Sequence, residues 1–173
     1  MADRLVAVLA EALAGLIRKL PLGVCFLLGR MVGTLLWALL PGYRKLAQDN
    51  IRTAMGDSVN ARRLAREHFA TLGANGLCAL KIPALSQEEI NRIARIDGLE
   101  TLHKHIAEGR GVVLAINHIG NWELYAQLIF RVPEARFGTV YQPLHNKHLD
   151  ELINRDRRRL GVLTFDRKRG YAG

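Results

Sequence analysis

The sequence contains little cysteine and few acidic residues, and each shortage narrows the classes of protein to consider. Two cysteines, Cys25 and Cys78, are too few for a disulfide framework and lack the paired spacing of metal ligands, so we expect a reduced protein without a bound metal. The 16 acidic residues are outnumbered by 25 basic ones, which gives a formal net charge of +9. This excess favours anionic partners such as phosphates, acidic proteins or membrane surfaces. Hydrophobic residues make up 49% of the 173 residues, which excludes a disordered protein.

The first 41 residues are strongly apolar, and Pro21 divides them into two predicted helices. In the first helix, Arg4, Glu11 and Arg18 recur every seven residues and so fall on one narrow line, while apolar side chains cover the remaining surface. Such a helix is too apolar for a position in water. We expect residues 1–41 to associate with a membrane, and the alternative is a pair of core helices in a soluble domain.

The second predicted helix, residues 22–40, has about the length of a membrane span. At ~1.5 Å per residue it rises roughly 28 Å, close to the ~30 Å of hydrocarbon in a bilayer. Its one charge, Arg30, costs about 2.5 to 3.5 kcal/mol at the centre of a bilayer, so we expect attachment to one leaflet in preference to full crossing. Gly29 and Gly33 have the spacing that lets another helix approach closely.

Residues 42–93 are predicted to form a helical linker region. Apolar residues at helical spacing run from residue 42 to about residue 80, and Pro83 ends that pattern. The segment Ser86-Gln87-Glu88-Glu89 fits a capping box. In this motif the Ser86 side chain accepts a hydrogen bond from the Glu89 backbone N–H, and the Glu89 side chain accepts one from the Ser86 backbone N–H. A short helix is therefore expected after Ser86, and no candidate site is evident in this region.

Residues 94–173 alternate between short apolar runs typical of strands and helix-like stretches. The fold class predicted for the chain is therefore α/β: a helical, apolar, membrane-anchoring N-terminal region followed by an alternating β/α sheet domain. Sheets of this kind bind ligands outside the carboxyl ends of their strands. The strands are expected near residues 94–97, 111–116, 137–141 and 162–165, and the helices near residues 99–107, 122–130 and 147–160.

A histidine and a glutamate stand five residues apart where the predicted strand 111–116 gives way to a helix. In the segment Asn117-His118-Ile119-Gly120-Asn121-Trp122-Glu123, the glycine allows a turn that brings Glu123 back toward the His118 imidazole. A neutral imidazole takes a proton from an alcohol, and a carboxylate on its other nitrogen fixes the tautomer and stabilises the imidazolium. With no serine or cysteine nearby, the activated hydroxyl is expected to belong to the substrate. In the structural alternative, His118 caps the helix and Glu123 complements the helix dipole.

Two blocks of the sequence resemble the bacterial lipid A biosynthesis acyltransferases, also called late lauroyl/myristoyl acyltransferases. The first block is residues 109–114 followed by residues 118–123, and the second is residues 140–161. The resemblance implies a sheet domain of the glycerolipid and lipid A acyltransferase type. Family members are longer than this chain, so we expect a sequence truncated or shortened at its C-terminal end, with residues 94–173 as an incomplete catalytic core. Where the family has arginine between tyrosine and proline, this chain has Gln142.

The reaction implied by the resemblance is transfer of a fatty acyl group from an acyl carrier protein thioester to a hydroxyl of a lipid A precursor or a related membrane lipid. His118 is then the general base, and Glu123 is its orienting partner. The acyl carrier protein thioester is a co-substrate, and no cofactor or metal is implied. From the resemblance, the turn after His118 and the basic tail together, we expect substrate binding by Asn117, Gly120, Asn121, Trp122, Gln142, Asn146, Arg158 and Arg159.

The expected partners are acyl carrier protein, an anionic glycolipid or phospholipid acceptor, and a membrane. The arginines of residues 155–169 would form a basic rim for these anions, or else a solvated helix face. A nucleic-acid partner is not expected, because the sequence has no zinc-ligand spacing and no RNA-binding aromatic motif. The implied location is the bacterial inner membrane, with the catalytic part facing the cytoplasm. The alternative function is a noncatalytic membrane-associated protein or inactive fragment that binds anionic lipid or acidic carrier protein.

Overall fold

The computed structural model describes residues 2–168, and these residues form two compact, mostly helical units. One unit comprises residues 2–15 and 83–168, and the other is Leu16–Ile82. Short 3-10 helices cover Ile82–Ala84 and Trp122–Phe130. The longer elements are α1 (Ala2–Lys19), α2 (Leu22–Leu39), α3 (Pro41–Met55), α4 (Ala61–Lys81), α5 (Gln87–Ile93), α6 (Leu99–Ala107), β1 (Gly138–Tyr141), α7 (Lys147–Arg159) and β2 (Leu163–Asp166).

Prolines and a side-chain cap set the helix boundaries in Leu16–Ile82. α2 begins directly after Pro21, and Pro41 is the first residue of α3, where its missing N–H leaves no hydrogen bond unmade. The Asn60 side chain caps α4 by accepting a hydrogen bond from the Arg63 amide at 3.0 Å. The two predicted apolar helices are confirmed, whereas the helical pattern of residues 42–80 belongs to two helices, α3 and α4.

α2 and α4 pack through glycines, so that their backbones touch. A Cβ added to Gly29 would lie 2.5 Å from the Ala74 Cα, and a Cβ added to Gly33 would overlap the Phe69 carbonyl oxygen. On the α4 side, a Cβ added to Gly73 would overlap the Gly29 carbonyl oxygen. Only glycine fits at such distances, and the close approach predicted for Gly29 and Gly33 is confirmed.

The large apolar side chains of α2 lie outside this contact. The buried residues of α2 are Cys25, Gly29 and Gly33, so only 17% of the helix is buried. Within residues 2–168, α2 is the one helix long and apolar enough to cross a membrane by length and composition. Its single charge, Arg30, binds the Glu67 carboxylate of α4 through two hydrogen bonds of 2.7 and 3.0 Å. The charge inside the apolar helix is therefore paired.

Local sequence signals are confirmed at the start of α5 and α6. The Glu89 amide donates to Ser86 Oγ at 3.2 Å, and the Ser86 amide donates to the Glu89 carboxylate at 2.7 Å, which completes the predicted capping box. α6 has the predicted bounds and follows Gly98, whose φ of 86° lies in the left-handed region. These two short helices precede the segment that carries the candidate site.

β1, α7 and β2 form a parallel βαβ unit, in agreement with the predicted strand, helix and strand at residues 137–165. The two strands pair from Gly138 beside Leu163 to Tyr141 beside Asp166. The carboxyl end of β1 leads into the loop before α7. This is the end of a parallel strand where ligands bind in open α/β sheets.

The predicted strands at residues 94–97 and 111–116 are wrong. In the part of the chain that the structure describes, the sheet consists of β1 and β2. Residues 111–116 are irregular and exposed, with Val113 95% exposed, because a buried parallel strand needs hydrogen-bonding neighbours that are not formed here. The predicted helix at residues 122–130 is a 3-10 helix. The alternating sheet domain is therefore observed only as the βαβ unit.

We expect alanine at Gly33 and alanine at Gly76 to have opposite effects on stability. Both glycines lie in helices, but a Cβ at Gly76 would meet nothing within 4 Å, whereas a Cβ at Gly33 would overlap the Phe69 carbonyl. Gly33→Ala should force the helices apart and lower the free energy of unfolding by about 1–3 kcal/mol, while Gly76→Ala should raise it by up to about 1 kcal/mol. Thermal unfolding in detergent micelles, followed by circular dichroism, measures both effects. Equal melting temperatures would contradict the backbone contact.

Candidate functional site

His118 lies in the exposed, irregular stretch of chain that follows residues 111–116. Its ring meets the Trp122 ring edge to face, with the ring centroids 5.2 Å apart and the planes at 60°. Asn117 is exposed, and Trp122 is 36% exposed at the start of the 3-10 helix. The imidazole is therefore open to solvent and is supported by an indole. A base that takes a proton from a substrate has to be reachable in this way.

Gly120 forms the turn between His118 and the 3-10 helix. Its φ of 66° lies in the left-handed region, where a side chain would be strained. The half-buried Asn121 follows, and its carbonyl accepts a hydrogen bond from the Leu124 amide at 3.1 Å, which begins the 3-10 helix. Within residues 2–168 the Gly120 amide donates no backbone hydrogen bond, so it is free to stabilise a negative oxygen.

The Glu123 carboxylate binds the Arg157 guanidinium of α7. Arg157 Nη2 lies 2.6 Å from Glu123 Oε1, and Arg157 Nε lies 3.4 Å from Oε2. The arginine and glutamate side chains are 19% and 24% exposed, so the pair is partly shielded from water. In the described chain no hydrogen bond joins Glu123 to His118, whose ring contact is with Trp122. The pairing of His118 with Glu123 stays a prediction.

Gln142 and Asn146 lie in the loop between β1 and α7. Gln142 directly follows the last residue of β1 and is exposed. Asn146 is the N-cap of α7: its Oδ1 accepts hydrogen bonds from the His148 and Leu149 amides at 3.0 and 3.2 Å. Its Nδ2 donates to the Asp3 carbonyl at 3.2 Å. Asn146 is thus engaged in capping, whereas Gln142 is open to a ligand.

Asp150, which was not among the predicted site residues, fixes this loop from the first turn of α7. Its Oδ1 accepts a hydrogen bond from the Leu144 amide at 2.9 Å. Its Oδ2 accepts hydrogen bonds from the Tyr141 hydroxyl at 3.3 Å and from the side-chain Nδ2 of Asn154 at 3.2 Å. Burial and the nearby Asp150 raise the pKa of Tyr141, so the tyrosine stays a hydrogen-bond donor. One carboxylate therefore ties the Tyr141 side chain and the loop after β1 to α7.

The sequence prediction named Arg158 and Arg159 as substrate contacts, which stays a prediction, and it did not single out Arg157. Arg158 and Arg159 are exposed, and Arg158 binds the Glu151 carboxylate. Arg157 instead faces Glu123, because it lies seven residues after Asp150 and three after the buried Asn154 and so shares their helix face. This spacing is the sequence signal that distinguishes Arg157 from its neighbours.

Side chains suited to metal binding or thiol chemistry are not gathered at this site. No three His, Cys, Asp or Glu side chains come together as potential metal ligands within residues 2–168. Cys25 and Cys78 are buried free thiols in Leu16–Ile82. Burial raises the pKa of the Cys78 thiol, which disfavours the reactive thiolate.

Comparison with protein families gives a match over nearly the whole chain. The family model for bacterial lipid A biosynthesis acyltransferases matches residues 2–171. The matched range includes the segment of residues 117–123 and the βαβ unit. No match was found among curated proteins or among solved structures.

Replacing Arg157 should cost more stability than replacing the adjacent Arg158. Arg157→Met leaves the partly shielded Glu123 carboxylate without its partner, and we expect the free energy of unfolding to fall by about 1–3 kcal/mol. Arg158→Met removes an exposed pair and should change it by less than about 1 kcal/mol. Urea unfolding of both variants, with Glu123→Gln completing a double-mutant cycle, gives the coupling energy. A coupling energy of zero between Arg157 and Glu123 would refute their interaction.

Proposed function

Because the chain belongs to the bacterial lipid A biosynthesis acyltransferase family, we propose that it transfers a fatty acyl group from an acyl carrier protein thioester to a hydroxyl of a lipid A precursor or a related membrane lipid. The family supports an acyltransferase role in general, and the donor and acceptor are our proposal. The observation that carries it is the family match over residues 2–171, which includes the His118–Glu123 segment.

In this proposal His118 is the general base. Its imidazole takes the proton of the acceptor hydroxyl, and the oxygen forms a bond to the thioester carbonyl carbon. The carbon–sulfur bond then breaks, and the carrier leaves as a thiolate, which needs little help from an acid. The exposed position of the ring supports this role, because a lipid hydroxyl can reach it.

Glu123 is the orienting partner of His118 in the proposal, and Arg157 is a positioning residue. A carboxylate accepts several hydrogen bonds on its two oxygens, so one bound firmly to Arg157 keeps capacity for the ring N–H of His118. The bond of 2.6 Å to Arg157 engages Oε1, and the longer distance of 3.4 Å leaves Oε2 the freer oxygen. Arg157 would thus hold the acid while Glu123 turns the imidazole toward the substrate.

The negative oxygen of the tetrahedral intermediate needs hydrogen-bond donors, and the turn at Gly120 is our candidate for them. Gly120 has a left-handed φ and lies two residues before the 3-10 helix, and backbone amides in turns of this kind bind anions. Asn117 and Trp122 border the same turn as substrate contacts. Gln142 would add a hydrogen bond without the fixed charge of an arginine.

Positive charge supports the choice of anionic substrates. Acyl carrier protein is acidic and a lipid A precursor is phosphorylated, whereas this chain has a formal charge of +9. Arg158 and Arg159 are exposed at the end of α7 and are the proposed contacts, and Asn146 would contribute by capping the start of the same helix. The exposed apolar surface of α2 supports attachment to a membrane, which we propose is the bacterial inner membrane, with the site on its cytoplasmic side.

A noncatalytic role in binding acidic carrier protein or anionic lipid is the second candidate. It is favoured by one observation: in the described chain Glu123 is bound by Arg157, and His118 has no carboxylate partner. The two functions differ in their dependence on His118, because a binding protein does not need a base.

We expect His118→Ala to lower acyl transfer by roughly 10²–10⁴-fold, the usual contribution of a general base. The assay uses purified chain with acyl carrier protein thioesters of several lengths and a lipid A precursor, and mass spectrometry detects the added acyl mass. His68→Ala, at an exposed histidine on α4, is the matched control and should keep full activity. Turnover of His118→Ala equal to that of the control would contradict the proposal, and binding without turnover in the unaltered chain would favour the second candidate.

A further inference from the structure

Three arginines surround Trp37 near the C-terminal end of α2. The guanidinium carbons of Arg44, Arg62 and Arg66 lie 5.2, 5.7 and 5.9 Å from the centroid of the Trp37 ring. Arg44 comes from the start of α3, and the other two come from the start of α4. We call these four residues the Trp37 cluster. Its three like charges repel one another, and contact with a single indole ring offsets only part of that repulsion.

Acceptors for this cluster are missing from the described part of the chain. None of its three arginines forms an ion pair or donates a side-chain hydrogen bond among residues 2–168. Glu67, which follows Arg66 in α4, is hydrogen-bonded to Arg30 and attracts Arg66 only without a direct hydrogen bond. The Trp37 indole N–H is itself buried and has no hydrogen-bond acceptor. Every polar group of the cluster is a donor, so the group that would complete it is a negatively charged acceptor.

The three arginines of the cluster lie near the beginnings of two helices. α3 begins at Pro41, and α4 begins at Ala61. Guanidinium groups in turn match the geometry of phosphate oxygens. The chemistry of the cluster therefore points to a phosphate.

The surroundings of the cluster distinguish a lipid phosphate from a free one. Leu36, Leu39 and Leu40 are exposed beside Trp37 at the same end of α2. A phosphate ion would gain nothing from these leucines, whereas the acyl chains of a lipid would cover them. Tryptophan and arginine together are also typical of the boundary between hydrocarbon and headgroups.

We propose that the Trp37 cluster binds the phosphate of an anionic phospholipid headgroup, with the lipid acyl chains against the exposed leucines at the end of α2. This site lies within Leu16–Ile82 and does not involve His118 or Glu123. It is a binding site that anchors the protein at a defined depth, and it operates whether or not acyl transfer occurs.

The proposal is tested directly by comparing how strongly two brominated lipids quench the fluorescence of Trp37. The chain has two tryptophans, so a Trp122→Phe background leaves Trp37 as the sole emitter. The protein is reconstituted in phosphatidylcholine vesicles that contain equal fractions of either brominated phosphatidylglycerol or brominated phosphatidylcholine. We expect brominated phosphatidylglycerol to bind beside Trp37 at least about fivefold more strongly than brominated phosphatidylcholine. A fivefold preference corresponds to the attraction of one arginine to an anionic membrane surface. Equal quenching by the two lipids would overturn the proposal.

A charge-matched pair of double variants separates a site from general attraction. Arg62→Gln with Arg66→Gln removes two charges from the cluster and should abolish the selectivity. Arg52→Gln with Arg63→Gln removes two charges from the same unit without touching Trp37, and it should keep the selectivity. Circular dichroism checks that both remain helical. Equal loss in the two double variants would mean diffuse attraction and would overturn the site.

Inorganic phosphate provides the last comparison. At a concentration well above that of the lipid, and at constant ionic strength, it should leave the selectivity for phosphatidylglycerol unchanged, because it lacks the acyl chains that contact the leucines. Displacement of the brominated lipid by inorganic phosphate would show a site for the free ion and would contradict the assignment to a lipid.

Discussion

The contact between the backbones of α2 and α4 is the constraint on which the arrangement of Leu16–Ile82 depends. Glycine at positions 29, 33 and 73 lets the two helices touch. That closeness brings Arg30 to Glu67 and Trp37 to the arginines of α4. A contact built from small residues buries few large side chains, so the leucines, valines and phenylalanine of α2 remain uncovered. Packing through glycine is the kind of helix association that works in lipid, where burial of large side chains gives no advantage.

In the other unit, the corresponding constraint is the ion pair between Arg157 and Glu123. It joins the 3-10 helix that follows His118 to α7 of the βαβ unit. Asp150 acts from the same face of α7 on the loop after β1. One helix face therefore contacts Glu123 at the end of the first sequence block and the loop within the second. The proposed chemistry needs this, because a base and the groups that hold the substrate have to keep a fixed separation.

Much of the fold could be predicted from local signals. Pro21, Pro41 and the capping box at Ser86 each act within a few residues, and the structure agrees with them. Residues 111–116 show where such signals fail. Their apolar, β-branched composition is typical of a buried strand, but a parallel strand exists only where distant segments pair with it. In the described chain that pairing is absent, and the same side chains are exposed.

The sequence suggested a histidine and a glutamate for the candidate site, but it did not predict the arginine that binds the glutamate. Arg157, Arg158 and Arg159 are consecutive, and only their rotation around α7 decides which one reaches Glu123. The inner face of α7 carries the polar residues Asp150 and Asn154. In a sequence, the inner face of a helix is normally identified by its apolar side chains. An apolar pattern therefore could not identify it.

In the proposed reaction the acyl group passes directly from the thioester to the lipid hydroxyl, with His118 as the base and without a covalent intermediate on the protein. The most direct measurement is the intact mass of the chain after incubation with an acyl carrier protein thioester, first without and then with a lipid A precursor. The account predicts an unchanged protein mass in both cases and an acyl mass added to the precursor. A protein that gains the acyl mass before the precursor is present would contradict the account.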